Sequence, residues 1–435
     1  WIGAYNMSNQ NNEKHLDVYK NRYELHQDGK TTVFLEGNQN HETQERYALL
    51  NKELANGFLE RVFNSVQSID FSKLSKENRV LLNSLVNGIT SEVGRALVGL
   101  AFLQLTIKSI TPSQSIRLHK GATRKGSFSW VDGISMRTID SKYNTPFLRE
   151  HGLLKLNKYG LFMTRSLAEN YPYTSLYKAD MRGPFDNWIA IVDAIENDIM
   201  PPKLSLCYMM ALLRNRSDKF CENANKACLL VENHKNDSFD SICNLLIKFF
   251  NNTGYSARAF EVTMHGLFQA MYELQMLGDV EVVPLSQMRS ANKKHGNIGD
   301  IELTDNGMIC ESWDAKYGKP YLRDELEELQ DKLLLHPDCK VAGFVVDSSV
   351  DLRNDIVARK NEIEAETRTE IHLFSFKQWV QYETLQLNES SKNRLGYQWL
   401  KSVVESFAQR RHQIAPIDEP CDAWISDLIS ILNNA

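Results

Sequence analysis

The sequence predicts an α/β protein, α+β overall, in which a mostly helical N-terminal region precedes a C-terminal core of mixed β-sheet flanked by helices. Apolar residues recur at spacings of three and four from Glu45 onward, for example at Leu50, Leu54 and Phe58, as amphipathic helices require. From Ser256 onward, helix-type and strand-type patterns follow the order α-β-β-β-α-β-α-β. The chain has 435 residues, 42% of them hydrophobic, which is enough for two or three domains with sizeable cores.

The composition divides the chain into three expected regions. Residues 1–45 are polar and predict a loosely attached arm with one strand in the segment TTVFLEG. Residues 46–237 predict mainly helices, among them one from Lys76 to Leu105. Residues 238–435 begin at the last residue of the polar stretch NHKNDS and contain the α/β core with further helices.

The core elements follow from runs of apolar residues and from turn signals between them. A helix is expected from about Ser256 to Leu277, followed by a strand, a polar loop, a hairpin and a charged helix. The strand patterns are DVEVVPL, IGDIELT, MICESWDAKYG, KVAGFVVD and EIHLFSF, and the helices between the later strands are LRDELEELQDKLLL and residues 351–364.

Several classes of protein are disfavoured by what the sequence lacks. Its seven cysteines are odd in number and form no CxxC pair, which argues against a cysteine-based zinc cluster and against a secreted disulfide framework. The longest apolar stretch, Ala96 to Leu105, is shorter than a membrane span, so we expect a cytoplasmic protein with no membrane partner. The phosphate-loop pattern GxxxxGK[ST] and the dinucleotide pattern GxGxxG are also absent.

A basic segment from Thr111 to Arg165 stands out in a chain whose formal charge is −5. It carries ten basic and three acidic residues, with aromatic residues between them. Such a mixture suits phosphate and base contacts, although a solvated surface without a partner has the same composition. Candidate nucleic-acid contacts are Lys120, Arg124, Lys125, Arg137 and Lys142, together with Arg289, Lys293 and Lys294 in the polar loop.

The predicted hairpin gathers acidic residues on one face. Alternation along the second strand puts Asp314 and Lys316 on the side of Met308, Cys310 and Ser312. The other side then carries the residues expected to face a core, together with an acid that is not chosen as a ligand: Ile309, Trp313, Ala315 and Glu311.

The turn of the hairpin decides whether the first strand contributes to the acidic face. A three-residue turn with Gly307 in a bulge brings Asp300 and Glu302 to that face. A turn of two or four residues instead matches Asp300 to Glu311.

Two adjacent carboxylates repel each other and bind hard divalent cations well. A Mg²⁺ ion at such a place polarises a phosphate oxygen, and a nearby lysine orients water or offsets negative charge. The alternative is an exposed hairpin with ordinary surface charges.

The spacing resembles that of the PD-(D/E)xK nuclease superfamily and, within it, type II restriction endonucleases. Gly299-Asp300 is followed after thirteen residues by Asp314-Ala315-Lys316, on the second and third strands of the expected order. The likeness covers about residues 256–376 and departs from the family in having Gly-Asp in place of Pro-Asp.

The resemblance implies a restriction-endonuclease-like core with Mg²⁺ as its cofactor. It implies Asp300, Asp314 and Lys316 as catalytic residues, with Glu261 of the preceding helix as a further candidate. The metal ligands would be the carboxylates of Asp300 and Asp314 and the backbone of Ala315.

The expected function is therefore sequence-specific hydrolysis of double-stranded DNA by a restriction enzyme, with residues 46–237 gripping and reading the DNA. The resemblance also implies a homodimer and a cognate DNA methyltransferase in the same cell, not necessarily in contact. The alternatives are a repair or modification-dependent nuclease of the same fold, a non-cutting DNA-binding protein with a vestigial core, and a helical interaction scaffold.

Overall fold

The computed structural model describes residues 14–27, 29–124, 126–163, 165–286, 296–411, 413–415 and 419–434. The chain divides into two compact units, Trp1–Asp218 and Lys219–Ala435, and each is described by itself. This division lies before the expected one at residue 238, and the three-region organisation stays a prediction. The described elements include many helices, a three-stranded antiparallel sheet and a five-stranded mixed sheet, which is an α+β structure.

The first unit begins with an antiparallel sheet of β1 (His15–Val18), β2 (Arg22–Gln27) and β3 (Lys30–Leu35). One face of this sheet is buried, with Leu25 and Phe34 packed near Trp130. The expectation of a single strand in this region is therefore wrong, because three strands are present. This region has a polar composition because alternate positions of each strand face solvent. The apolar residues between them pack into a core.

The helices of the first unit form its main core. They are α1 (His41–Ala55), α2 (Phe58–Ser65), α3 (Lys76–Asn87), α4 (Glu92–Ile110) and α7 (Phe185–Glu196).

The single helix expected from Lys76 to Leu105 is in fact two helices. Helix α3 ends at Gly88, where a β-carbon would lie 2.7 Å from the ring of Pro184. Ser91 then caps α4, because its hydroxyl accepts a hydrogen bond from Gly94 N at 3.3 Å. Apolar periodicity continues through the break, and only the capping residues mark it.

Helix α4 contains an apolar stretch, Val93–Ile110, that is long enough to cross a bilayer. Within the protein 89% of this stretch is buried, as in the core helix of a folded domain. The cytoplasmic location stays a prediction.

The segment between α4 and α7 has little regular structure, as its composition predicts. It contains α5 (Met136–Ile139), a π-helical turn (Asp140–Asn144) and α6 (Thr145–Glu150). Buried Asp140 holds the segment together, because its carboxylate accepts hydrogen bonds from the Asn144 and Thr145 side chains and from Leu161 N. Side-chain hydrogen bonds thus replace the missing ladder of backbone bonds.

The second unit shows the predicted order of core elements. The long helix α8 (Pro202–Val231) contains the division between the units at Asp218, and α9 (Phe239–Asn252) follows it. The core then runs through α10 (Ser256–Glu273), β4 (Glu281–Val282), β5 (Ile301–Asp305), β6 (Met308–Lys316), α11 (Arg323–Leu333), β7 (Val341–Val346), α12 (Asn354–Thr367) and β8 (Glu370–Ser375). Three more helices close the unit: α13 (Phe376–Glu383), α14 (Glu389–Phe407) and α15 (Cys421–Asn433).

The strands form one sheet in the order β4-β5-β6-β7-β8, antiparallel up to β6 and parallel from β6 to β8. On one face, Trp313 and Val345 pack into the core formed with α10 and α14. On the other face, Phe344 and Val346 pack against α11 and α12. Both faces of the central strands are covered, so any polar side chain there must find partners inside the protein.

Candidate metal-dependent active site

The hairpin between β5 and β6 has a two-residue turn instead of the predicted three-residue turn. Asp305 pairs with Met308, and the turn residues Asn306 and Gly307 have φ angles of 49° and 79°. Left-handed backbone at both positions is what a type I′ turn requires, and Asn-Gly is its preferred sequence. The predicted turn is wrong because this local preference decides the loop length.

A β-bulge nevertheless restores the predicted acidic face. Leu303 pairs with Glu311 and Thr304 with Ile309, so Cys310 is an extra residue on β6. Without the bulge, a two-residue turn would direct Asp300 to the side of Glu311.

Beyond the bulge, Glu302 pairs with Ser312, so Asp300 and Asp314 share a face as predicted. The register differs from the one that the three-residue turn predicts, which places Glu302 opposite Cys310 and Asp300 opposite Ser312. The bulge also corrects two expectations. Cys310 packs toward the core of α10 and α14, and Ile309 packs toward the opposite core.

Asp300 and Asp314 form a pair of neighbouring carboxyl groups at the end of the sheet. Asp314 is buried and Asp300 is half-buried, and Asp300 Oδ2 accepts a hydrogen bond from Ala315 N at 3.1 Å. Burial and the adjacent Asp300 carboxyl hold the pKa of Asp314 well above its ordinary value, although Lys316 opposes them. Such a pair favours binding of a cation or of a proton.

Lys316 lies between two carboxylates. Its Nζ is 2.8 Å from Asp314 Oδ2 and 2.8 Å from Glu325 Oε2. Burial opposes the positive charge, but Asp314 and Glu325 outweigh it and raise the pKa of Lys316. The side chain is therefore an ammonium group at neutral pH.

Glu325 is a site residue that sequence reasoning missed. It lies in the first turn of α11, and its side chain is largely covered. Burial tends to raise the pKa of Glu325, but Lys316 and Lys319 outweigh it and lower the pKa. The segment RDELEELQDK contains several acids on an amphipathic helix, and nothing in that pattern distinguishes Glu325 from its neighbours.

Glu302 lies on the same face but supports the loop before Asp300. Its Oε1 accepts hydrogen bonds from Ile298 N at 2.6 Å and from Gly299 N at 3.4 Å. A β-carbon at Gly299 would lie 2.7 Å from Trp313 O. This close approach to β6 explains the glycine at the position before Asp300.

Glu261, the further catalytic candidate, lies on α10 and pairs with buried Arg258. Arg258 also donates a hydrogen bond to Ser286 O at 2.9 Å, which ties the helix to the chain before the polar loop. This arrangement gives Glu261 a positioning partner, and its catalytic role stays a prediction.

Glu311 lies on the other side of β6, as predicted. Trp313 Nε1 donates a hydrogen bond to Glu311 Oε1 at 2.6 Å. The carboxyl of Glu383, at the end of α13, interacts with that of Glu311. Burial raises the pKa of both carboxyl groups. In the part of the chain that the structure describes, neither carboxyl has a lysine partner like Lys316 beside Asp314.

The predicted DNA contacts in the basic segment differ in exposure. Arg124 and Lys142 are exposed, and the Lys142 ammonium lies 4.9 Å from the centre of the Tyr143 ring. Lys120 is half-buried and donates a hydrogen bond to Asn170 Oδ1, and burial lowers its pKa.

Other basic residues of this segment are engaged within the protein. Arg137 is exposed, and its guanidinium donates to Phe162 O at 2.9 Å. Arg117 is buried against Asp193, so part of the segment's positive charge is internal. The remaining predicted contacts, Lys125, Arg289, Lys293 and Lys294, lie outside the described residues.

No protein-family model matches the sequence, and no curated protein matches it.

Proposed function

We propose that the chain is a Mg²⁺-dependent endonuclease that cuts double-stranded DNA at specific sequences, in the manner of a type II restriction enzyme. The observation that carries the proposal is the cluster of Asp300, Asp314 and Lys316 at one end of a mixed sheet. These residues follow the PD-(D/E)xK order and lie on a hairpin within the element order of that superfamily. Both features support a nuclease.

The donor set suits Mg²⁺. Two carboxylates are hard oxygen ligands, and a divalent cation offsets the burial and the repulsion by Asp300 that raise the pKa of Asp314. Asp300 and Asp314 would hold the ion with the backbone carbonyl of Ala315. A bound Mg²⁺ polarises a phosphate oxygen and makes a bound water more acidic.

The side chains around the proposed metal site have separate roles. Because its pKa is raised, Lys316 acts as a hydrogen-bond donor and positive charge near the phosphate rather than as a base. Glu325 holds the Lys316 ammonium together with Asp314. Glu302 and Gly299 position the loop from which the Asp300 carboxylate extends.

The direct test is digestion of unmodified phage and plasmid DNA with Mg²⁺ and with EDTA, beside Lys316→Ala. Discrete Mg²⁺-dependent fragments that are absent from the variant support a sequence-specific endonuclease. A smear would favour a repair nuclease, and cleavage of methylated or branched DNA alone would favour a modification-dependent enzyme. No cleavage of any substrate, with DNA binding that survives metal removal, would favour a vestigial core.

DNA binding by the basic segment is tested with Arg124→Ala, because this side chain is exposed. Loss of one phosphate contact should weaken binding of all sequences and reduce the salt slope by about 1. Arg117→Lys serves as the comparison, because Arg117 is buried against Asp193. Equal affinity and equal salt dependence of Arg124→Ala and the unmodified protein would remove Arg124 from the interface.

We also propose a homodimer, because one active site cuts one strand and two-fold symmetry matches the two halves of a palindromic site. Analytical ultracentrifugation with and without DNA measures this state. A monomer under both conditions would contradict the dimer while leaving the proposed chemistry intact. The cognate methyltransferase is part of the same proposal and needs no contact with this chain.

A further inference from the structure

Three side chains with metal-binding atoms meet on the outer face of the N-terminal sheet. His15 on β1 pairs directly with His26 on β2, so both imidazoles extend from the same face. Asp17 lies two residues after His15 and shares that face. The opposite face of the sheet packs into a core around Trp130, which gives these side chains a rigid base.

The three side chains are close enough to share one metal ion after side-chain rotation. Asp17 Oδ2 lies 3.3 Å from His26 Nε2 and 3.8 Å from His15 Nε2. One ligand atom from each residue lies within 4.8 Å of the others. The two imidazole rings stack with centroids 4.3 Å apart and an interplanar angle of 13°. Tetrahedral zinc with bonds of about 2.0–2.1 Å separates its ligand atoms by about 3.3 Å, so binding requires side-chain rotations that turn both imidazole nitrogens toward one point.

A neighbouring hydroxyl sets the orientation of the second imidazole. Thr31 Oγ1 lies 3.0 Å from His26 Nδ1. With the proton on Nδ1 donated to Thr31, Nε2 carries the lone pair that a metal ion would accept. His26 Nε2 is a buried atom that makes no hydrogen bond within the described residues, despite the nearby carboxylate. Support of a ligand imidazole through its second nitrogen is a common feature of metal sites.

We propose that His15, Asp17 and His26 form a zinc site that fastens edge strand β1 to β2. Imidazole ligands select a transition metal over Mg²⁺, so this site is chemically distinct from the carboxylate pair at Asp300 and Asp314. Three protein ligands leave the fourth position to water. The proposal does not depend on the proposed nuclease function.

Zinc binding is measured by calorimetry on the full chain carrying Asp300→Ala and Asp314→Ala, which removes the proposed Mg²⁺ site, and Cys421→Ser, which removes the thiol of a second group of possible ligands, Glu419, Cys421 and Asp422. We expect one equivalent of Zn²⁺ with a dissociation constant of about 10 μM or tighter. His26→Ala in the same background should lose that equivalent. His41→Ala is the matched control, because His41 is an exposed histidine of the same unit that pairs with Glu45.

Cobalt provides a second readout that reports coordination. Co²⁺ at a tetrahedral site of two imidazoles and a carboxylate should give visible absorption that Asp17→Asn weakens and His26→Ala abolishes. Thermal unfolding with Zn²⁺ should show a stabilisation that His26→Ala loses and His41→Ala keeps.

Absence of Zn²⁺ binding, or equal stoichiometry in His26→Ala, would overturn the proposal and leave a simple ion pair. His41→Ala alters an exposed side chain and His26→Ala a half-exposed one. Circular dichroism of each variant checks that the fold persists.

Discussion

Two pairs of carboxyl groups lie on opposite sides of strand β6, and their surroundings differ in one essential respect. Asp300 and Asp314 lie beside Lys316, whose ammonium also contacts Glu325. Glu311 accepts a hydrogen bond from Trp313, and Glu383 interacts with Glu311 and Trp379. Burial raises the pKa in both places.

The comparison shows that a shifted carboxyl pKa does not by itself define a catalytic site. A buried acid pair without a cation lowers its energy by taking up a proton. An acid pair beside a lysine has a cation that partly offsets its burial, and it can exchange a proton for a metal ion. The partner charge, more than the burial, separates the candidate active site from its counterpart.

The sharpest contrast between the pairs comes from replacing one acid of each. Asp314→Asn should reduce the cleavage rate by at least about 10³-fold, because loss of a metal ligand removes several kcal/mol of transition-state stabilisation. DNA binding should persist or tighten, since less negative charge faces the phosphate. Glu383→Gln should cleave at a rate close to that of the unmodified protein. Single-turnover cleavage of one duplex measures both, and comparable losses in the two variants would contradict the assignment.

The next largest effect is expected at the lysine. Lys316→Ala should slow cleavage by about 10²–10³-fold, the usual loss when a donor to developing charge is removed. Lys319→Ala is the matched control, because this exposed lysine also approaches Glu325, at 3.4 Å. Exposed ion pairs contribute little, so its rate should stay within about threefold. A Lys316→Ala enzyme at full rate would show that the cation has no catalytic role.

A smaller loss is expected for Glu325, which acts through Lys316. Glu325→Gln keeps the size of the side chain but removes the charge that helps hold the ammonium in place. The cleavage rate should fall by about 10–100-fold, as for residues that orient others. DNA affinity and the melting temperature should stay unchanged, which distinguishes positioning from folding. Glu328→Gln, one turn further along α11, provides a comparison.

The smallest effect concerns stability on the aromatic side of β6. The folded state holds the pKa of Glu383 above its ordinary value near 4.5. Its contribution to stability is therefore present in acid and is lost as pH rises through the raised pKa. Glu383→Gln should raise the melting temperature by a few degrees at pH 7 and leave it unchanged at pH 4. Each kcal/mol of added unfolding free energy corresponds to about 2–4 °C in a unit of this size. Equal shifts at both pH values would indicate a packing effect instead.

The parts of the site that follow local rules could be predicted. Alternation along β6 correctly separated Asp314 and Lys316 from Glu311 and Trp313. The order of core elements was also correct, because apolar runs and turn residues mark each strand. The turn length was wrong, and the bulge at Cys310 compensated for that error. Bulges depend on the pairing of two strands and leave little trace in either one alone.

Contacts between distant segments could not be predicted. Glu325 reaches Lys316 because α11 packs back on the sheet, and many acids of that helix fit the same pattern. The His15, Asp17 and His26 cluster depends on the pairing of β1 with β2, in a region expected to be an arm.

The sequence by itself determined the α+β class, the order of the core elements and the face on which Asp314 and Lys316 lie. Periodicity and turn chemistry are local properties, and they suffice for those features. Only the tertiary structure decided that Asp300 joins Asp314, that Glu325 completes the ion-pair cluster and that Glu311 lies half-buried beside Glu383. These outcomes depend on strand register and on the packing of helices over the sheet, which bring together residues that no local pattern connects.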